Sequence, residues 1–146
     1  MMNMKQTKML LTAIILLLCS MVAKAKRFQV DGIYYNVTDD VAQTVEVDID
    51  IYGYDAETII IPASVVYNNT TYTVTSIGEA AFSSDQIKSV VIGENVSIIK
   101  QYAFSTCAHL ESVVIGENVS IIGQGAFFSC SNLTSIKIPN SVTAIG

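Results

Sequence analysis

A chain of 146 residues has room for one ordinary domain. Thirteen acidic residues stand against eight basic ones, a net charge of −5, and eight of the acids fall between Asp31 and Glu57 with no Lys or Arg among them; such a surface repels nucleic acid and anionic membrane. Three cysteines are too few for a disulfide-built scaffold, so the core has to come from apolar packing.

The first segment reads as a secretory leader. Lys5 and Lys8 precede an apolar run from Met9 to Leu18 that continues to Ala23, and Ala23-Lys24-Ala25 places small residues at the −3 and −1 positions of a cleavage site. The competing readings are an uncleaved anchor and a lipoprotein acylated at Cys19. The run is shorter than the roughly 20 residues of a spanning helix, and Leu18 is bulky where a lipoprotein signal has a small residue. The sequence therefore predicts a signal peptide over residues 1–25 and no membrane span once it is removed. Residues 26–146 keep five basic residues against thirteen acidic ones, a net charge of −8.

Residues 26–56 follow no repeat and read as an N-terminal β cap. FQVDGIYYNV predicts a hairpin turning at Asp31-Gly32. Val45, Val47, Ile49 and Ile51 alternate with Glu46, Asp48 and Asp50, the pattern of a strand with one apolar and one acidic face. Tyr34, Tyr35, Tyr52 and Tyr54 are expected on the surface of this unit. A divergent repeat opens with IIIPASV at residues 59–65 and is interrupted by a hairpin insertion, residues 65–74, turning at Asn68-Asn69. Val74 and Ile77 then resume the frame.

Three copies follow, at residues 75–96, 97–119 and 120–142, with a fourth beginning at TAIG and truncated. Ile99, Ile122 and Ile145 recur every 23 residues. Other columns are Phe82, Phe104 and Phe127; Ile87, Leu110 and Leu133; Val90, Val113 and Ile136; Ile92, Ile115 and Ile138; and Val96, Val119 and Val142. Ala81, Ala103 and Ala126 stay small before each Phe. Like residues returning at one turn's length imply that each stacks on its counterpart, and no rung buries its edge alone. In each copy a short strand such as Leu110–Ile115 alternates inward Val113 and Ile115 with outward Ser112 and Val114. Gly116-Glu117-Asn118 and Pro139-Asn140-Ser141 are turn chemistry, a second extended piece runs from Val119 to Ile122, and the AFFSCSN stretch makes a tight or helical turn.

The spacing L-x-x-V-x-I-[GP]-x-x-V-x-x-I-x-x-x-A-F-x-x-C, filled by Leu110, Val113, Ile115, Val119, Ile122, Ala126, Phe127 and Cys130, resembles the BspA-like leucine-rich repeat of bacterial secreted and surface proteins. The resemblance covers about residues 57–146, and FQVDGIYYNVTDD after the leader also resembles the start of such proteins. It implies a mainly β repeat solenoid, a leucine-rich-repeat-type right-handed coil with an N-terminal β cap. It also implies secretion or surface display and binding to host proteins or other cells.

Chemistry-bearing residues are sparse. His109 is single and has no positioned partner for acid–base work, and no hydrolase, metalloprotease or P-loop signature occurs. The chain is therefore read as no enzyme, with no cofactor and no metal. Glu46, Asp48 and Asp50 resemble a calcium set only in charge, since no EF-hand-type loop follows. Cys107 and Cys130 share a column, either as buried thiols or as a disulfide between rungs. Asn36, Asn68, Asn69, Asn95, Asn118 and Asn132 fall in Asn-x-Ser/Thr sequons, several because the repeat itself reads N-V-S.

The outward strand column holds Ile60, Val91, Val114 and Lys137, with Ser89, Ser112 and Ser135 beside it. This is the candidate partner-binding face, because solenoids bind on extended surfaces and exposed apolar patches mark contacts. The expected function is extracellular or cell-surface binding, such as adhesion, to a protein or cell-surface ligand. The alternatives are a structural N-terminal segment of a longer surface protein, and a carbohydrate-binding module using the tyrosines of residues 26–56. The ladder ends uncovered near Gly146, which predicts either continuation of the array or self-association at that end.

Overall fold

The computed structural model describes residues 26–82 and 86–146; the signal peptide expected over residues 1–25 lies outside them. The described residues form eleven strands and no helix: β1 (Arg27–Val30), β2 (Ile33–Asp39), β3 (Thr44–Val47), β4 (Thr58–Ile61), β5 (Ser64–Tyr67), β6 (Thr70–Ile77), β7 (Ser89–Ile92), β8 (Ile98–Ile99), β9 (Ser112–Val114), β10 (Ile121–Ile122) and β11 (Ala144–Ile145). No helix among them is long and apolar enough to cross a membrane.

Successive rungs add parallel strands to two sheets, the last rung to only one of them. The first sheet runs β4-β7-β9, all parallel, with Val90 beside Ile59 and Val113 beside Val90. The second runs β1-β2-β3-β6-β8-β10-β11, and β5 pairs with β6 at its side. Ile77, Ile99, Ile122 and Ile145 are neighbours across this second ladder. Parallel strands need a long connection between them. Here that connection is the rest of the coil, which is why the period is 22 or 23 residues rather than a hairpin's length.

The columns foreseen from the sequence face inward. Phe82 and Phe104 are stacked with ring centres 5.0 Å apart and planes 4° from parallel; Phe104 and Phe127 are 5.3 Å apart at 1°. Val90, Ile92, Val96, Ile99, Ala103, Leu110 and Val119 are buried in the same core. The segments bearing the rings are also hydrogen-bonded rung to rung: Phe82 N–H donates to Ala103 C=O at 2.9 Å and Phe104 N–H to Ala126 C=O at 2.8 Å. The turn foreseen there depends on left-handed residues at matching places, Ala80, Tyr102 and Gly125 with φ of 50°, 55° and 58°. Rungs approach so closely at Gly93 that a Cβ there would lie 2.6 Å from the Ile61 carbonyl oxygen.

Burial falls away along the last copy. Ile136 and Leu133 are half-buried, and Ile138, expected inward, is partly exposed because residues 133–138 form no strand against β9. Ile145 is exposed on β11.

The N-terminal residues differ from expectation in two places. The Asp31-Gly32 hairpin is present, with both residues at positive φ. The acidic strand, however, stops at Val47. The Asp48 carboxylate accepts the Ile49 N–H, and Asp50 accepts the Tyr52 N–H. These side-chain-to-backbone bonds turn the chain where alternation alone predicts continued strand, and they leave Ile51 exposed. β3 pairs parallel with β6, so the second ladder continues into this unit. Tyr35 and Tyr54, expected on the surface, are only 1% and 5% exposed. Tyr54 packs on Phe82 at 4.9 Å and 41°, extending the aromatic column by one ring.

Candidate functional site

The first sheet has one face in the core and one in solvent, as period-two alternation requires. Ile60, Val91 and Val114 are register partners across β4, β7 and β9, and Thr58, Ser89 and Ser112 form the row beside them. Ile60 is 64% exposed and Val114 58%, while Val91 between them is half-buried. The Ser112 hydroxyl lies 3.2 Å from that of Ser89. These five members of the predicted face therefore form one continuous patch, an apolar row flanked by hydroxyls.

Lys137 and Ser135 are exposed and lie outside any strand, so they flank the patch rather than extend the ladder. Lys137 reaches the Glu117 carboxylate at 3.7 Å, both side chains in solvent. An exposed pair of this kind contributes little to stability. A shallow cleft of about 150 Å³ lies between Val114 and Lys137, with Pro139 in its wall.

The acidic trio of the N-terminal unit is already engaged. Glu46 bonds to Lys100, Asp48 pairs with Arg27 at 2.8 Å, and Asp50 caps its own turn. Of the four tyrosines, Tyr52 stands free at 89% exposure, and the Tyr34 ring is covered by the Arg27 guanidinium at 4.2 Å. Buried Tyr35 and Tyr54 offer no ring face to a sugar. His109 is exposed on a turn.

The cysteines act as donors from rung to rung. Cys107 Sγ donates to Phe82 C=O at 2.6 Å, and Cys130 Sγ to Phe104 C=O at 3.0 Å. Burial pushes the Cys130 thiol above its ordinary pKa. Thiolate is the reactive form, so alkylation of the native protein should be slow at Cys130 and absent at fully buried Cys107. The intact mass should be the same with and without a reductant. A mass lower by two hydrogen atoms without reductant would show a disulfide instead.

The repeated N-V-S is likewise structural. Asn95 Nδ2 donates to Ala63 C=O at 3.2 Å and Asn118 Nδ2 to Glu94 C=O at 2.8 Å. Ser97 and Ser120 hydroxyls donate to Thr75 and Ser97 carbonyls. Both polar members of the sequon thus tie one rung to the one before it.

One feature escaped the sequence reading: a groove of about 750 Å³ beside β4. Its lining includes Ile33, Ile59, Ile60 and Val65 together with Asp31, Asp50 and Asp55. Nothing in the local pattern signals it, because it forms between residues some thirty positions apart.

The repeat profile described as the BspA-type leucine-rich repeat region matches residues 56–146, in six copies. A leucine-rich repeat protein from Bacteroides ovatus is similar in structure, with TM-score 0.73 and 35% identity over 82% of this chain and 31% of that one. One from Bacteroides capillosus gives TM-score 0.75 and 34% identity over 82% of this chain and 87% of that one. A leucine-rich cell surface protein from Faecalibacterium prausnitzii gives TM-score 0.69 and 31% identity over 82% of this chain and 32% of that one. The chain thus spans about a third of the length of the first and third of these. No curated protein matches it.

Proposed function

The chain belongs to the BspA-type leucine-rich repeat family, and from that premise we propose that it is an extracellular or cell-surface module that binds a protein partner through the outer face of β4, β7 and β9. The observation that carries the reading is the row Ile60, Val91 and Val114, an apolar column on the solvent face of the first sheet with Ile60 and Val114 well exposed. Desolvating such a row favours association. Ser89, Ser112, Ser135 and Lys137 supply hydrogen bonds and one positive charge at its rim. The leader-like pattern of residues 1–25 and the cell surface protein among the structural relatives support export. In this reading the coil is right-handed and residues 26–56 cap it, β3 and Tyr54 covering the first rung's edge.

A panel of extracellular matrix proteins, tested by surface binding, identifies the partner. Val91→Glu with Val114→Glu is then expected to weaken that binding at least tenfold while the protein still unfolds in one cooperative transition, at somewhat lower temperature because the two carboxylates face each other across the ladder. Unchanged binding in a folded double variant rejects this face. A second reading, that the chain is a structural segment of a longer surface protein, is favoured by its covering only 31% of the Bacteroides ovatus protein. It predicts no partner for the isolated chain. The carbohydrate reading loses two of its four tyrosines to the core.

A further inference from the structure

We propose that the free edge of β4 accepts an additional strand from a partner protein, an extended segment in which basic side chains alternate with aliphatic ones. The backbone provides the first argument. Glu57 C=O accepts the N–H groups of Lys88 and Ser89 at 2.8 and 3.0 Å, which fixes the phase of the parallel ladder. Bonding to one neighbour occurs at alternate residues, so Ile59 and Ile61 serve β7 and Thr58 and Ile60 turn their N–H and C=O groups the other way. β4 ends its sheet, and no bond among the described residues reaches those outward groups. Exposed edges of this kind pair readily with a further strand.

The groove provides the second. Thr58, Ile59 and Ile60 of β4 line it together with Asp31, Gly32, Asp50 and Asp55 of the N-terminal residues. Its volume of about 750 Å³ falls within the roughly 300–1,000 Å³ of clefts that hold ligands. A strand placed at the usual spacing of about 4.8 Å from β4 would enter it.

Charge selects the occupant. Asp31, Asp50 and Asp55 line the groove, no Lys or Arg does, and the nearby Glu57 is held by Lys88 at 2.8 Å. A cationic segment is favoured there. A second copy of the chain is a poor occupant, because its own edge strand, Thr58–Ile61, carries no basic residue and residues 26–146 carry a net charge of −8. A sugar lacks a platform, the nearest rings being buried Tyr35 and Tyr54.

The test titrates the purified protein with a fluorescein-labelled seven-residue peptide of alternating valine and lysine, followed by anisotropy and by amide hydrogen exchange. Saturable binding is expected, with added protection at the Thr58 and Ile60 amides, and none for the valine–glutamate counterpart. Thr58→Pro removes one outward N–H at the first residue of the strand, where proline is tolerated. It should weaken binding about 3–10-fold, the worth of one hydrogen bond. Asp31→Asn with Asp55→Asn keeps the turn chemistry and should weaken it by about the same factor at low salt. No saturable binding, equal binding of the glutamate peptide, or unchanged affinity in folded Thr58→Pro overturns the proposal. If Thr58→Pro does not fold, the paired Asn variant decides. Val91→Glu with Val114→Glu should leave peptide binding intact, so this proposal and the outer-face reading fail separately.

Discussion

Replacing Phe104 by alanine is expected to cost about 3–5 kcal/mol of folding stability, the range for a fully buried aromatic ring. Phe104 is the middle ring of its column, sandwiched between Phe82 and Phe127 in near-parallel stacks, and none of its surface reaches solvent. The substitution removes the burial of one ring and both stacking contacts, and each such contact adds about 0.5–1.5 kcal/mol beyond area alone. The flanking Ala103 and Cys107 are hydrogen-bonded to neighbouring rungs and cannot move in to fill the space. Phe127 is half-buried on the least covered rung, so Phe127→Ala should cost clearly less. Urea unfolding of the two variants checks both the size and the order. A Phe104→Ala loss within about 0.5 kcal/mol, as for surface substitutions, would contradict the stacking.

That column was legible because repetition converts a three-dimensional contact into a one-dimensional one. When Phe82, Phe104 and Phe127 return at one coil's length, each must meet its counterpart, whatever the details of the turn between them. The same reasoning exposed Ile60, Val91 and Val114 as an outward row, since strand alternation fixes their face once Val90 and Val113 are inward. Finer features depended on atoms the pattern does not encode. The strand ending at Val47 ends because Asp48 and Asp50 bond to backbone N–H groups just ahead of them, whereas the alternation of Ile49 and Ile51 suits a strand equally well. The Asn and Ser of the recurring N-V-S read in the sequence only as sequons that the repeat produces, and their bonds to the preceding rung show why both recur. The groove beside β4 needed knowledge of which strand lies at the sheet's edge. That is set by long-range parallel pairing, and the chain contains no local sign of it.

Tyr54 is the residue where sequence and structure diverge most, and it carries the second large effect. Outside the repeat, nothing marks it as core: it lies in a loop between Gly53 and Asp55, next to exposed Tyr52. In the fold its ring seats on Phe82, while its hydroxyl donates to Asp48 C=O at 2.8 Å and accepts the Tyr34 N–H at 3.3 Å. One side chain therefore joins the aromatic column to the turn that ends β3. Tyr54→Ala is expected to cost about 3 kcal/mol or more, close to the loss for other buried rings. Tyr54→Phe keeps the ring and should cost only about 0.5–1.5 kcal/mol, the worth of the hydrogen bonding. The two values separate packing from polar bracing, and calorimetric melting measures both. If the ring merely lies against the surface, the alanine and phenylalanine variants will melt together, close to the parent protein. If it closes the column, alanine alone will destabilise strongly, and hydrogen exchange will show the loosening first at Phe82 and along β3 rather than at Leu110 and β9. Tyr52→Ala, one turn of loop away and exposed, should leave the melting transition where it is.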